Sequence, residues 1–237
     1  MARRLFDIAC AASALIVLAP VFVAAWIGIR VSSPGPVLFR AKRIGRGERE
    51  FTMLKFRSMH TGSEQSSPIT SAGDTRIFPF GRFLRGWKVD ELPQLVNVLV
   101  GDMSIIGPRP EHPDIVREHY SDRDRETLSV RPGLASPGSI YNYTHGESSL
   151  VGGDVASQYV DRLMPIKLGL DRIYVQRASI LYDVRIVGRT VGVLVARACG
   201  RQHFEDPPEM SAFEGHTDCL PREQILPIPN SQYPASK

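Results

Sequence analysis

The residues best suited to chemistry lie in Lys88-Val89-Asp90-Glu91-Leu92-Pro93-Gln94-Leu95, where two adjacent carboxylates open an apolar segment. Leu92, Leu95, Val96 and Leu99 follow at i, i+3, i+4 and i+7, the spacing of one helical face. Pro93 fits only a first turn, so a helix is predicted to start near Asp90, with Asp90 and Glu91 at its positive end. Alone, an Asp-Glu pair in that place is most simply an acidic helix start. Here arginines stand on both sides, at Arg82, Arg85 and Arg109. A carboxylate pair among cations suits a divalent cation bound together with a phosphorylated substrate, since Mg²⁺ takes one or two carboxylates plus phosphate oxygens. A carboxylate beside it can attack phosphorus and form an acyl-phosphate.

Further cations are candidates for holding phosphate. Arg109 is bracketed by Pro108 and Pro110, which fix φ on either side and present the guanidinium rigidly. An ordinary Pro-rich turn would look the same. Lys55 and Arg57, in Lys55-Phe56-Arg57-Ser58-Met59, belong to a stretch with eight basic and two acidic residues between Arg30 and Arg57. That stretch could face an anionic substrate or form a basic rim on anionic lipid. Arg131 sits in a second turn, Arg131-Pro132-Gly133.

Other chemistries find little support. No GxGxxG, GxxxxGK[ST] or HExxH occurs, and the six histidines lack metal-ligand spacing. Cys10, Cys199 and Cys219 form no CxxC pair, which argues for a reducing, cytosol-facing compartment without a disulfide framework. The net charge of +4 suits anionic partners.

The elements that must position these groups begin with an apolar segment, residues 5–29, whose only charge is Asp7. As a straight helix it would be roughly 37 Å long, enough to cross a hydrocarbon core. Arg3 and Arg4 precede it, but no convincing cleavage site for a signal peptide follows. Basic residues flank both ends, and the positive-inside rule wants both clusters on one side. A helix bent at Ala19-Pro20 that returns to its own face satisfies this, whereas a plain spanning anchor does not; the physics leaves both open.

Beyond Ser33-Pro34-Gly35-Pro36, two short strands around Val37–Phe39 and Phe51–Leu54 are predicted, with a turn at Gly45-Arg46-Gly47. Residues 60–75 read as a mobile loop, Arg76–Trp87 as a short amphipathic interfacial helix, and 111–127 as helical. Residues 134–160 show no clear period. Residues 161–199 read as two helices broken near Ala178-Ser179, the second surface-lying or packed on the core. From Arg201 the chain is polar and Pro-rich, and a disordered tail is expected. The fold class is thus α+β, mostly helical, organised as 1–32 membrane helix, 33–200 catalytic domain and 201–237 tail.

In order along the chain, Arg4-Leu5-Phe6-Asp7, Ser33–Val37, Lys55–Met59, Asp90–Leu95, Asn97-Val98-Leu99, Gly101–Ser104 and Ile106–Pro110 resemble the monotopic polyprenyl-phosphate phosphoglycosyltransferases, a family of bacterial sugar transferases. Arg131-Pro132-Gly133 and Leu181-Tyr182-Asp183 are weaker echoes. The resemblance implies transfer of a phospho-sugar from a UDP-sugar to polyprenyl (undecaprenyl) phosphate with release of UMP, through a covalent enzyme intermediate, to initiate glycan assembly. It implies Asp90 as nucleophile, Glu91 beside it at Mg²⁺, and Arg85, Arg109, Lys55, Arg57 and Arg131 on phosphate oxygens. Pro108, Pro110 and Asp102 would shape the nucleotide-side loop. Near Arg85 and a helix start, Asp90 is expected to stay ionised.

The same resemblance favours the re-entrant hairpin bent at Ala19-Pro20, in the bacterial inner membrane with the domain on the cytoplasmic face. Nucleic acid is no partner, and self-association as a homodimer is left open. The departure is Leu134-Ala135-Ser136-Pro137-Gly138-Ser139-Ile140-Tyr141, where many relatives read Ile-Thr-Gly-Trp and then Gln-Val-Asn, so the sugar is not assigned. The alternative is a membrane-anchored protein whose degenerate site only binds nucleotide or anionic lipid.

Overall fold

The computed structural model describes residues 2–62, 74–146, 155–201 and 203–214. Two helices open the chain, α1 (Ala2–Val17) and α2 (Ala19–Ser32), bent by 61° at Leu18. Pro20 lies in the first turn of α2, where its missing N–H costs nothing, so the break falls just before the expected Ala19-Pro20 step. No single described helix is long and apolar enough to cross a membrane; the bent pair together is. Leu5, Ile16, Val17, Val23, Trp26, Ile27 and Val31 are exposed along it.

Polar groups root α1 in the domain. The buried Asp7 carboxylate accepts from Ser104 Oγ at 2.8 Å and from the Ile105 N–H at 2.9 Å. Arg4 donates to the carbonyl oxygens of Val98 and Leu99 at 2.5 and 2.8 Å. These carbonyls end a helix, where a cation is favoured.

Strands β1 (Leu38–Ile44) and β2 (Glu50–Phe56) pair antiparallel in the register Ala41–Met53, turning through Arg46–Glu48 as expected. Helix α3 (Pro79–Gly86) confirms the amphipathic segment, with Leu84 buried and Phe83 and the following Trp87 exposed. Most of the 60–75 loop lies outside the described residues.

The predicted helix start at Asp90 is corrected. Val89–Glu91 is a single 3-10 turn, and the helix proper, α4, runs Gln94–Val100 with Pro93 as its N-cap. The carboxylates therefore precede the α-helix rather than occupy its first turn. Gly101 closes α4 at φ 106°, a left-handed cap that glycine adopts without strain. Within α4, Asn97 Oδ1 accepts from the Leu54 N–H at 2.9 Å and its Nδ2 donates to the Thr52 carbonyl at 2.8 Å. One buried amide thus satisfies the open edge of β2 and fixes α4 against the hairpin.

A second pairing is parallel, β3 (Ser104–Ile106) with β4 (Gly133–Ala135). It brings the Arg131-Pro132-Gly133 turn beside the Gly107-Pro108-Arg109-Pro110 loop: the Gly133 N–H donates to the Pro108 carbonyl at 2.9 Å and the Gly107 N–H to Ala135 at 3.0 Å. A Cβ at Gly133 would lie 2.1 Å from the Gly107 nitrogen, so only glycine fits. Helix α5 (Pro113–His119) bears out the helical reading within 111–127, and α6 (Pro137–Tyr141), capped by Ser136, lies in a segment that showed no clear period.

The two-helix reading of 161–199 holds: α7 (Met164–Arg177) and α8 (Ile180–Ala198) are separated at Ala178-Ser179, and Ser179 caps α8. The tail expectation fails for part of its length. Met210–Glu214 forms α9, whose Met210 and Phe213 enter the main core with Leu168 and Leu170. Buried Glu209 accepts from Tyr182 Oη at 2.6 Å and Arg189 at 2.7 Å. Pro-rich composition hid three anchors in an otherwise polar stretch.

Candidate active site

Three elements converge on the carboxylate pair: β2 brings Lys55, the end of α3 brings Arg85, and the Pro108–Pro110 loop brings Arg109. Arg109 meets Glu91 in a two-pronged pair, Nη2 to Oε1 at 2.6 Å and Nη1 to Oε2 at 2.9 Å. Lys55 Nζ stands 3.8 Å from the same Oε1. The rigid arginine predicted from two flanking prolines is therefore present, but its partner in the protein is a carboxylate.

The two carboxylates live in opposite environments. Burial would raise Glu91, yet Arg109 and Lys55 outweigh it and hold Glu91 far below the usual carboxylate range. Asp90 is 5 % exposed, and its Oδ1 is sealed from solvent with no hydrogen-bond donor. Burial, then the neighbouring Glu91 charge, push Asp90 upward; Lys55, Arg85 and Lys88 oppose this only in part. Asp90 was expected to stay ionised near Arg85 and a helix start; Arg85 does oppose the upward push, but the carboxylate is desolvated and precedes the α-helix. Burial likewise lowers Lys55 to about 8, against the pull of Glu91.

Other predicted residues are elsewhere employed. Arg85 Nη1 reaches Ser58 Oγ at 3.5 Å, within the attraction felt by Asp90. Arg57 is buried and donates to the carbonyls of Ser33 and Pro34 at 2.7 and 2.6 Å. It ties the turn after α2 to β2. Arg131 donates Nε to the Gly101 carbonyl at 2.9 Å, at the end of α4 opposite the carboxylates. There, with Asp102, Arg46 and Arg49, it lines an open cleft of about 560 Å³. The sequence grouped Arg57, Arg131 and Asp102 with the site because motif order carries no direction in space.

Three contributors were not foreseen. Gln94 is fully buried, its Oε1 without a donor and its Nε2 3.5 Å from Glu91 Oε2. Lys88 holds φ at 54°, left-handed for a residue with a side chain. Tyr143 Oη accepts from Arg109 Nη1 at 3.2 Å, and its ring lies 4.3 Å below Lys88 Nζ. Behind Arg109, Glu111, Lys167 and Tyr159 form a buried charged cluster, with Lys167 Nζ 2.9 Å from Glu111. The Gln94 signal was visible as a polar residue on an apolar helix; a left-handed Lys88 and a long-range Tyr143 contact were not.

Among the described residues no three His, Cys, Asp or Glu side chains gather at metal-binding distance. Mg²⁺ needs fewer, because substrate oxygens and water complete its shell. Asp90 Oδ1 and Gln94 Oε1 are buried oxygens lacking donors, of the hard type such a cation takes.

A desolvated carboxylate thus stands beside an arginine-clamped one, in a domain joined to an apolar bent helix pair. The chain belongs to the bacterial sugar transferase family, which it matches over residues 1–197. It is 38 % identical over 195 residues to a UDP-glucose:undecaprenyl-phosphate glucose-1-phosphate transferase of Xanthomonas campestris, covering 79 % of this chain and 37 % of that protein. A protein of the same description from Caulobacter vibrioides is 37 % identical over 81 % of this chain and 69 % of its own length. The exopolysaccharide production protein PSS of Rhizobium leguminosarum is 33 % identical over 84 % of this chain and 97 % of its own. The chain thus spans well under half of the Xanthomonas relative and nearly all of the Rhizobium one.

Proposed function

We propose that this protein transfers a sugar 1-phosphate from a UDP-sugar to undecaprenyl phosphate and releases UMP, beginning glycan assembly on the lipid. The observation that carries the proposal is the desolvated Asp90 carboxylate beside the arginine-clamped Glu91. A carboxylate stripped of water attacks phosphorus more readily than a hydrated one. Lys55, Arg85 and Lys88 favour the ionised form that attack requires.

Asp90 attacks the sugar-bearing phosphorus. The bond from that phosphorus to UMP breaks, and UMP leaves with the electron pair. An oxygen of the lipid phosphate then attacks the same phosphorus, the acyl-phosphate bond breaks, and the Asp90 carboxylate is restored. Arg85 and Lys55 face the developing negative charge. Asp90, Glu91 and Gln94 would hold Mg²⁺, which when bound neutralises diphosphate charge and improves the leaving group.

We further infer that α1 and α2 form a re-entrant hairpin in one leaflet of the bacterial inner membrane, with the domain on the cytoplasmic face. The 61° bend and the exposed apolar side chains support this. Cysteines placed at residues 2 and 47 should then label from one side of spheroplasts, and opposite sidedness would mean a span. The activity is tested by UMP release from a panel of UDP-sugars with undecaprenyl phosphate and Mg²⁺. Asp90→Ala should abolish release, and intact mass should show the phosphosugar adduct only where Asp90 is present. Full release by Asp90→Ala would remove the nucleophile assignment.

A further inference from the structure

Lys88 is a strained residue two positions before the proposed nucleophile. A left-handed backbone is disfavoured for a residue with a side chain, and such strain persists only where the surroundings over-determine it. The Lys88 side chain reaches over the ring of Tyr143, with Nζ 4.3 Å from its centroid. The hydroxyl at the other end of that ring accepts from Arg109 Nη1 at 3.2 Å. Tyr143 is 6 % exposed, and its own carbonyl accepts from Arg197 of α8 at 2.5 Å. One side chain therefore touches both arms of the site: the strained residue that launches the carboxylate turn, and the guanidinium that clamps Glu91.

We propose that Tyr143 is the positioning residue of the carboxylate pair, its ring fixing Lys88 and its hydroxyl fixing Arg109, so that Asp90 and Glu91 are presented at one set distance. This rests on the transferase reading for its catalytic consequence, though not for its geometry. It also gives a task to the segment after Arg131-Pro132-Gly133, which showed no clear period in the sequence. That segment carries Tyr143 and is braced by Arg197 and by the Tyr141–His145 ring stack, whose centroids are 4.9 Å apart. Tyr143 acts through Lys88 and Arg109 and touches no reacting atom in this arrangement.

The test uses the full chain in detergent or nanodiscs and has two arms. In the first, substrate-free melting temperatures are measured for Tyr143→Leu, Tyr143→Phe, Lys88→Met and the double variants. A cation over a ring couples the two residues, so Tyr143→Leu with Lys88→Met should fall short of additivity by about 2 °C. Tyr143→Phe keeps the ring and should add to Lys88→Met within error. In the second arm, UMP release is followed with whichever UDP-sugar the wild type turns over. Tyr143→Phe should lower kcat about tenfold, as loss of a hydrogen bond to a charged group does, with KM for the UDP-sugar changed less than about twofold. Unchanged kcat in Tyr143→Phe, or additivity in both thermal cycles, would overturn the proposal. Should Tyr143→Leu not fold, the kcat of Tyr143→Phe decides. A wild type that releases no UMP from any UDP-sugar defeats the transferase reading instead, and the thermal cycles then decide the positioning role alone.

Discussion

Asp90→Asn should stabilise the protein while destroying its chemistry. The native carboxylate is nearly inaccessible, its Oδ1 has no donor, and Glu91 adds repulsion. A buried polar oxygen left unpaired costs about 1–3 kcal/mol, more when charged. Lys55, Arg85 and Lys88 return part of that cost, and they lose a partner in the variant. The amide keeps the unpaired Oδ1 but sheds the buried charge and the Glu91 repulsion, a balance of about 1 kcal/mol in its favour or about 2–4 °C in melting temperature for a domain of this size. The sign depends on pH. A carboxyl whose folded pKa lies above its unfolded value costs nothing while protonated in both states, and removes stability as pH rises from the unfolded toward the folded pKa. The two proteins should therefore melt together near pH 4, and the variant should pull ahead toward pH 8. Melts would be run in EDTA across that range, then repeated with Mg²⁺, which should raise the wild type and leave Asp90→Asn in place. A variant that melts below the wild type at pH 8, or a gap independent of pH, would refute the reasoning.

Other expectations follow from single contacts. Arg109→Met leaves Glu91 with Lys55 at 3.8 Å and a long contact from Gln94, and should cost about 3–5 kcal/mol in chemical denaturation, as breaking a buried ion pair does. Gly133→Ala drives a methyl to 2.1 Å from the Gly107 nitrogen; it should lower the melting temperature by several degrees and cut UMP release by displacing the Arg109 loop. Phe213→Ala empties the space over Gly169 and should cost about 3–5 kcal/mol, whereas a free polar tail would tolerate it without change. Arg57→Ala should impair stability more than KM for the UDP-sugar, because its donors end on the Ser33 and Pro34 carbonyls.

What was legible in the sequence was local. The hairpin around Gly45–Gly47, the amphipathic α3 and the Ser179 break between α7 and α8 each declare themselves by period or punctuation within about a dozen residues. Asp90, Glu91, Arg85 and Arg109 were found because unlike charges crowd an apolar stretch. Direction was not legible. Arg57 and Asp102 look equivalent to Lys55 along the chain, yet one grips the turn after α2 and the other lies past the far end of α4. The parallel β3–β4 pairing joins residues about thirty positions apart and leaves no periodic trace in two three-residue strands. Asp90's surroundings were misread for a related reason: the α-helix begins at Gln94 rather than near Asp90, and the carboxylate lies in a buried turn ahead of it. Glu209, Met210 and Phe213 escaped notice because three anchors in a proline-rich stretch cannot set a period.

Helix α4 has a guanidinium from α1 fastened to its last carbonyls and the carboxylate turn leading into its first residues. Its seven residues make a strut about 10 Å long. The apolar root and the Asp90 turn are thereby coupled as the two ends of a short ruler, and Asp7 keeps that root from rotating. On the proposed function, how deep the first helix settles in a lipid layer then also decides how high above it phosphorus is attacked.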